Sequence, residues 1–260
     1  MSGLNPPVDD WRGQRVWLIG ASSGIGEALA HALAERGAVL ALSGRRADAL
    51  DTVAEALGGA EVLPLDITTP GAVADAWEAL LARWGGCDMV VFVAGTYRPT
   101  PVEALSAEVI ERTVAVNLSA TLTGVAAVLP AMLARGAGHI ALVSSVAGYS
   151  GLPRACVYGA TKAALINFAE SLFLELRPRG IGVHLINPGF VSTRLTAGND
   201  FPMPALMSPP EAAAAIVSGL SRGDFEIHFP KRFSRVLKLL RLLPYRLYFP
   251  LVRRATGGGR

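Results

Sequence analysis

Short apolar runs alternate along the chain with longer segments whose apolar residues recur at helical spacing. Six runs have the length and composition of buried strands: 15–19, 38–43, 61–65, 89–93, 139–143 and 182–186. The segments between them have helical spacing: 28–37, 47–57, 70–83, 106–133 and 158–178. Strands that alternate with helices in this way form a parallel sheet with helices on both faces. We therefore predict an α/β fold built on a doubly wound parallel sheet, with ligands bound at the carboxyl ends of its strands.

The first strand runs directly into a glycine-rich loop, and a helical pattern follows at once. Gly20 permits a tight turn, Gly24 lets the backbone approach a pyrophosphate, and Gly26 lets the helix lie close to the sheet. The helix N-terminus offers free N–H groups and a partial positive charge to an anion. We predict a dinucleotide site here, the alternative being a tight turn without a ligand. The intervening loop residues belong to the same predicted site: Ser22, Ser23 and Ile25.

The end of the second strand indicates which dinucleotide binds. An acidic residue there would accept hydrogen bonds from the ribose 2′-hydroxyl and repel a 2′-phosphate. The chain instead has Gly44 and Arg45, with no acidic residue before Asp48. Arg45 is placed to pair with a phosphate, so we predict NADP in preference to NAD. The alternative is that Arg45 and Arg46 form the solvated start of a helix.

Small or polar side chains follow the next two strands. Asp66 and Ile67 come after the third strand, where an adenine edge would be recognised. Ala94 and Gly95 follow the fourth strand and allow a cofactor ring to approach closely. Asn117 interrupts a helical run, where asparagine is unfavourable. It either binds water or backbone there or occupies a harmless surface position.

The most reactive constellation combines a tyrosine, a lysine and a serine. Tyr158 and Lys162 are four residues apart, so in a helix they share one face. A nearby ammonium favours the phenolate and lowers the phenol pKa towards neutral values. Ser145 follows the fifth strand and could offer a second hydroxyl to the same substrate oxygen. The alternative is an ordinary helix start with a surface lysine and a half-buried tyrosine.

The composition is that of a globular protein. Of 260 residues, 51% are hydrophobic and 17% are charged. Cys87 and Cys156 lack metal-ligand spacing and lie in apolar surroundings, so we expect buried free thiols and a reducing, cytoplasmic compartment. Residues 1–12 do not have the pattern of a secretory signal. We also expect no apolar run of the ~18 residues that a bilayer span requires.

Charge is distributed unevenly between the body of the chain and its end. Residues 1–230 contain 15 basic and 21 acidic residues, a net charge of −6. Residues 231–260 contain nine basic and no acidic residues, a net charge of +9. An acidic body does not suit a nucleic-acid-binding domain, so we expect no nucleic-acid partner.

The basic end of the chain also carries many leucines and aromatic residues. We divide the chain into a catalytic domain, 1–228, and a basic amphipathic C-terminal helical extension, 229–260. Such a helix, over 231–254, is typical of elements that lie on a membrane surface. It could equally pack on the body or at an oligomer interface, with its arginine heads in water. Both alternatives are open at this point.

These motifs together resemble the short-chain dehydrogenase/reductase family over residues 15–228. The matching set is Gly20-x-x-x-Gly24-x-Gly26, Asp66, Ala94-Gly95, Asn117, Ser145, Tyr158-x-x-x-Lys162 and Pro188-Gly189. The resemblance implies a Rossmann-type fold in which Tyr158 is the acid/base and Ser145 orients the substrate oxygen. Lys162 would hold the nicotinamide ribose and lower the pKa of Tyr158, and Asn117 would hold a water in a proton relay. Further cofactor contacts are implied at Pro188, Gly189, Val191 and Thr193, and a homodimer or homotetramer is expected.

The sequence departs from the family pattern in two places. Ile19 replaces a usual threonine, and Phe92-Val93 replaces a pair of asparagines, so we expect packing to replace hydrogen bonds there. The implied activity is hydride transfer between NADP(H) and a carbonyl or secondary alcohol. The apolar segment 195–208, an expected lid, favours a hydrophobic or lipid-like substrate. The alternative is an NADP(H)-binding sensor or a membrane-associated scaffold without turnover; no metal is expected.

Overall fold

Seven parallel strands form one sheet in this computed structural model, which describes residues 3–256. The strands are β1 Arg15–Ile19, β2 Val39–Gly44, β3 Glu61–Pro64, β4 Met89–Phe92, β5 Gly138–Val143, β6 Ile181–Pro188 and β7 Glu226–Phe229. Their order is β3-β2-β1-β4-β5-β6-β7. The predicted doubly wound parallel sheet is confirmed, but the prediction of six strands missed β7. This strand has four residues at the sheet edge, and only alternate ones are buried, so it lacks a continuous apolar run.

Helices cover both faces of the sheet. They are α1 Gly24–Ala34, α2 Ala47–Ala56, α3 Ala72–Trp84, α4 Ala107–Val114, α5 Ala120–Arg135, α6 Cys156–Leu176, α7 Pro209–Ser221, α8 Lys231–Arg241 and α9 Tyr245–Ala255. Successive residues of β1 enter two different cores because strand side chains alternate in direction. Val16 and Leu18 pack with α1, α2 and α7, whereas Trp17 and Ile19 pack with α3, α5 and α6.

The strand order reverses next to β1, and this reversal positions the ligand site. β1 pairs with β2 on one side and with β4 on the other, in parallel register. The crossover connections therefore leave in opposite directions and open a crevice at the carboxyl ends of these strands. The glycine loop, the segment after β4 and the segment after β5 all reach that crevice.

One helical stretch, 107–135, is long and apolar enough to cross a membrane by length and composition. The expectation that no apolar run had this property was therefore wrong. The stretch joins α4 and α5 through a π-helical turn, Ala115–Ser119. Val125, Val128 and Met132 of α5 are buried in the core that contains Trp17. A helix in the core of a sheet protein can have the same length and composition, so these two properties do not indicate a membrane span here.

The two cysteines differ in environment. Cys87 is buried, and desolvation, the largest influence, raises the pKa of its thiol to about 12. Cys156 is exposed at the start of α6, so the expectation that both thiols are buried was wrong for this residue. Cys156 is the first residue of α6, and the buried residues of this helix begin at Gly159. Apolar neighbours in the sequence therefore did not indicate whether this thiol is buried.

The C-terminal extension consists of two helices that leave the edge of the sheet. β7 ends at Phe229, and α8 begins at Lys231 directly after Pro230. Phe233 and Leu237 of α8 pack against the core that contains α3, α5 and α6. The predicted boundary between 1–228 and 229–260 stays a prediction, and its last residues, 257–260, lie outside the described residues.

Candidate active site

A cleft of about 1570 Å³ lies at the carboxyl ends of the strands. It brings together predicted residues from seven separate segments of the chain. Those that line it are Gly20, Ser22, Ser23, Gly24, Ile25, Arg45, Asp66, Ile67, Ala94, Gly95, Ser145, Tyr158, Lys162, Pro188, Gly189, Val191 and Thr193. Gly26 and Asn117 lie behind this lining and support it.

The glycine loop is held so tightly that its glycines leave no space for side chains. Gly20 has a φ of 109°, and a Cβ there would lie 2.5 Å from the backbone nitrogen of Ala94. A Cβ on Gly26 would lie 2.1 Å from the carbonyl oxygen of Gly20. Ser23, before α1, makes no side-chain capping bond, so the helix N-terminus faces the cleft with free N–H groups. This cradle fits the pyrophosphate of a dinucleotide.

Two arginines follow β2, and they have different surroundings. Arg46 donates from Nη2 to the carbonyl oxygen of Ser22 at 2.8 Å and to its hydroxyl at 3.2 Å. Its guanidinium therefore lies against the glycine loop, and Arg46 is not simply the solvated start of a helix. Arg45 also lines the cleft, close to Asp66. Hydrogen bonds from Thr68 hold the pKa of Asp66 below its usual value, and the charge of Arg45 lowers it further.

The two departures from the family pattern form one packed contact. Ile19 and Phe92 are register partners on β1 and β4, and they are 1% and 2% exposed. The Phe92 ring lies against Gly124 of α5, where a Cβ would come within 2.6 Å of the ring. The expected replacement of hydrogen bonds by packing is confirmed. The strands remain joined next to the glycine loop by the bonds of Val93 and Ala94 to the carbonyl of Ile19.

Lys162 is buried beneath the cleft floor and is fixed by backbone groups. Its Nζ donates to the carbonyl oxygen of Val143 at 2.9 Å, and its own carbonyl accepts from the Ser144 hydroxyl at 2.7 Å. Desolvation lowers the pKa of Lys162 to about 8. The ammonium lies 5.7 Å from the centre of the Tyr158 ring. Helical spacing thus brings both side chains to one place, as predicted.

The environment of Tyr158 differs from the one expected. Burial raises the pKa of its phenol to about 12, although a hydrogen bond with Ser145 acts in the opposite direction. The resemblance implied that Lys162 lowers this pKa; in the structure, desolvation of the phenolate is the largest influence and holds the pKa above its usual value. Tyr97 contributes to the rise, with its ring 4.6 Å from that of Tyr158. A phenol in this state stays protonated at neutral pH.

Ser145 lies where β5 ends, beside the phenol. Its hydroxyl accepts from the backbone of Ala147 at 3.1 Å and donates to the carbonyl of Pro188 at 3.4 Å. These contacts hold the hydroxyl at the cleft wall. Ser145 and Tyr158 can therefore present two hydroxyls to one substrate oxygen.

Asn117 is fully buried in the π-helical turn between α4 and α5. Its Oδ1 accepts from the backbone nitrogen of Thr96 at 2.7 Å, and its Nδ2 donates to the carbonyl of Thr96 at 2.8 Å. Of the two alternatives left by the sequence, backbone binding is therefore the one observed. Turns of this kind are frequent at functional sites. Asn117 fixes the segment after β4 against the floor of the cleft.

Sequence reasoning missed several groups at the cleft. Tyr97 was overlooked, although its position two residues after Gly95 placed it at a strand end. The side chains contributed by the C-terminal extension had no local signal, because only tertiary contacts bring them to the cleft: Phe233, Leu237, Leu240 and Val252. Within residues 3–256, no group of three potential metal ligands is present.

A glycine loop before an uncapped helix, beside a serine, tyrosine and lysine at one cleft, defines a nucleotide-binding α/β protein of oxidoreductase type. The family model "short chain dehydrogenase" matches residues 14–201. The chain therefore belongs to the short-chain dehydrogenase family, as the resemblance indicated.

Relatives and solved structures agree with this family. An uncharacterized oxidoreductase of Myxococcus xanthus is 39% identical over 241 residues, covering 91% of this chain and 95% of that protein. A short-chain dehydrogenase from Streptomyces avermitilis has a TM-score of 0.79 at 26% identity and covers 95% of this chain and 100% of its own. A short-chain dehydrogenase from Sphingobium yanoikuyae in complex with NADPH has a TM-score of 0.77 at 31% identity, with coverages of 89% and 97%.

Proposed function

We propose that the protein is an NADP(H)-dependent oxidoreductase that interconverts a hydrophobic carbonyl compound and its secondary alcohol. The observation that carries this proposal is the convergence of Ser145, Tyr158 and Lys162 on the cleft that also contains the glycine loop. Membership of an oxidoreductase family supports the reaction class. The presence of all three side chains at the cleft argues against a sensor or scaffold without turnover.

The chain's own residues supply binding, orientation and the proton. In the reducing direction, the hydroxyls of Ser145 and Tyr158 hydrogen-bond the carbonyl oxygen, and Tyr158 donates its proton to that oxygen. The raised pKa of Tyr158 suits a donor, because the phenol is protonated at neutral pH. Lys162 would hold the cofactor ribose and would stabilise the phenolate left behind, and Asn117 holds the Thr96 backbone at the cleft floor. A nicotinamide cofactor bound at this site supplies the hydride.

Preference for NADP over NAD rests on the two arginines after β2. Arg45 and Arg46 both line the cleft, and Arg46 already contacts the loop at Ser22. A 2′-phosphate there would receive charge-assisted hydrogen bonds, worth ~1.5–3 kcal/mol each. The NADPH bound by the Sphingobium yanoikuyae relative is consistent with this choice.

Exchange of each arginine for serine tests the cofactor preference. We expect Arg46→Ser and Arg45→Ser each to lower the NADPH-over-NADH ratio of kcat/KM by ~10-fold or more, since 1.4 kcal/mol is tenfold. Arg36→Ser, an exposed change in the turn just after α1 and outside the cleft lining, is the matched control. A wild-type preference for NADH would contradict the proposal.

An apolar substrate is supported by the far wall of the cleft. That wall contains Leu152, Leu195, Phe201, Phe233, Leu237 and Leu240. Phe201 belongs to the segment 195–208, the proposed lid. Its ring lies 6.0 Å from that of Phe190, and Asp200 beside it pairs with Arg154 at 2.6 Å. The ion pair connects the lid to the loop after Ser145, and the ring contact connects it to the segment after β6.

The reaction is tested by NADPH oxidation with ketones graded from short and polar to long-chain and polycyclic. We expect turnover that rises with apolar surface and falls by ~10²–10⁴ in Tyr158→Phe, the range for loss of a general acid. Tyr245→Phe removes an exposed hydroxyl elsewhere and is the control. Tight NADPH binding without turnover on any ketone would favour the sensor.

A cytoplasmic location and a homodimer or homotetramer stay predictions.

A further inference from the structure

The C-terminal helix pair, α8 with α9, has an inner face that closes the substrate cleft. Leu237 and Leu240 of α8 and Tyr248 and Val252 of α9 converge over the loop 146–152 that follows Ser145. The Tyr248 hydroxyl donates to the carbonyl of Gly151 at 2.6 Å. The helix pair therefore packs on the body, which is one of the two alternatives that the sequence left open.

A half-buried ion pair fixes α8 to the sheet. The Lys238 ammonium bonds the carboxylate of Glu226 on β7 and lies 5.6 Å from the Tyr149 ring centre. Glu226 also accepts from the Tyr149 hydroxyl at 2.6 Å and from Asn187 Nδ2 at 2.9 Å. These bonds fix which face of α8 meets the body and which face meets solvent.

The outer face of the pair is apolar and uncovered. In residues 3–256, fifteen large apolar side chains are strongly exposed, and seven of them lie within 236–251. They are Val236, Leu239, Leu242, Tyr245, Leu247, Phe249 and Leu251. Leu242 is 79% exposed and Tyr245 is 74% exposed. Scattered exposed leucines are ordinary, but a concentration of this kind marks an interaction surface.

Positive charge accompanies this outer face. Residues 231–260 contain nine basic and no acidic residues. Arg232 and Arg235 on α8 and Arg246 on α9 are exposed among the apolar side chains. The complementary surface is therefore one that offers both negative charge and apolar contact. A bilayer containing anionic lipids has both properties.

A second copy of this chain fits less well. A symmetric dimer would place the same surface on both subunits, so two strongly basic faces would meet without acidic partners. We propose that the outer face of the C-terminal helix pair binds the surface of an anionic phospholipid membrane. Its leucines and aromatic rings enter the interface, and its arginines contact lipid phosphates.

Membrane binding would also bring the substrate wall close to lipid. Leu237, Leu240 and Val252 line the cleft from the same two helices whose opposite sides carry the exposed residues. A carbonyl compound dissolved in the bilayer would then meet an apolar wall of the cleft. This consequence rests on the proposed function, whereas the membrane contact itself does not.

Co-sedimentation of the full-length protein with vesicles tests the contact without cofactor or substrate. We expect binding to vesicles of phosphatidylcholine mixed with phosphatidylglycerol, and much weaker binding to phosphatidylcholine alone or at high salt. Leu242→Ser combined with Tyr245→Ser should weaken binding by about tenfold or more, since each side chain contributes interfacial apolar area. Both positions are so exposed that the fold should be unaffected, as thermal unfolding would verify.

Val102→Ser combined with Leu174→Ser is the matched control, because these residues are 72% and 73% exposed outside the helix pair. This variant should bind vesicles like the wild type. The proposal is overturned if the wild type ignores anionic vesicles at low salt, or if the Leu242/Tyr245 variant binds them equally well. It is also overturned if the wild type self-associates through this face instead and the same variant becomes monomeric. Failure of ketone reduction with vesicle binding intact would refute the proposed function alone.

Discussion

The bond between Lys238 and Glu226 offers a quantitative test of how the C-terminal helices are held. Their side chains are 36% and 24% exposed, so the pair is neither buried nor fully solvated. Loss of one partner of a buried pair costs ~3–5 kcal/mol, and an exposed pair contributes ~0–1 kcal/mol. For Lys238→Met, which keeps the length of the side chain, we expect a loss of unfolding free energy of ~1–3 kcal/mol between these limits.

The pH dependence of this loss distinguishes an electrostatic role from simple packing. Burial alone would raise the pKa of Glu226, but hydrogen bonds from Lys238, Tyr149 and Asn187 outweigh it and hold the pKa below its usual value. A carboxyl with a depressed folded-state pKa stabilises the fold above its unfolded-state pKa and loses that effect as pH falls through the folded-state value. The wild type and Lys238→Met should therefore differ most near neutral pH and converge in acid.

Urea unfolding of both proteins across this pH range is the assay, with hydrogen exchange of 231–256 reporting release of the helices. Lys231→Met, an exposed change on the same helix, is the control and should leave the unfolding free energy nearly unchanged. Equal stability of wild type and Lys238→Met at neutral pH would refute the reasoning. So would a difference that does not change with pH.

Three further predictions concern the site. Gly26→Ala should abolish NADPH binding or folding, because its Cβ would lie 2.1 Å from the carbonyl of Gly20, whereas Gly198→Ala has nothing within 4 Å and should behave as wild type in a binding titration. Burial lowers the pKa of Lys162 from 10.5 to about 8, so between these pH values the unfolded state binds more protons than the folded state. The free energy of unfolding should therefore rise with pH over this range, on the order of 1 kcal/mol per pH unit. Lys162→Met should lose this rise in pH-dependent urea unfolding. Tyr97→Ala should lower the pKa of Tyr158 seen in the pH profile of ketone reduction, since Tyr97 helps to raise it; an unchanged profile would count against their contact.

Strand positions and the convergence of Ser145, Tyr158 and Lys162 on one cleft could be predicted because they have local signals. Each of the six predicted strands is a short run in which apolar residues predominate, and the spacing of Tyr158 and Lys162 places them on one face of any helix. β7 has no such run, and only its pairing with β6 along the sheet edge identifies it. The exposure of Cys156 had no local signal either, because it depends on the packing of the first turn of α6 in the folded chain.

Properties that depend on tertiary burial were beyond the sequence. The pKa of Tyr158 was expected to fall because an ammonium stands four residues away, but burial of the phenol raises it, with a smaller contribution from Tyr97. The C-terminal segment was amphipathic in either interpretation, packed or membrane-bound. The structure has one face of the helix pair on the body and another exposed, so packing on the body did not exclude the second partner that we propose.

Hydride transfer with proton donation by Tyr158 is the central claim, and isotope transfer measures it directly. NADPH carrying deuterium at C4 of the nicotinamide would be supplied with the most reactive ketone of the panel, and the product alcohol examined by mass spectrometry and NMR. We predict deuterium on the carbinol carbon with the wild type and a loss of ~10²–10⁴ in the rate of its appearance with Tyr158→Phe at unchanged NADPH affinity. Product alcohol without deuterium on carbon, or a Tyr158→Phe variant as fast as the wild type, would contradict the account.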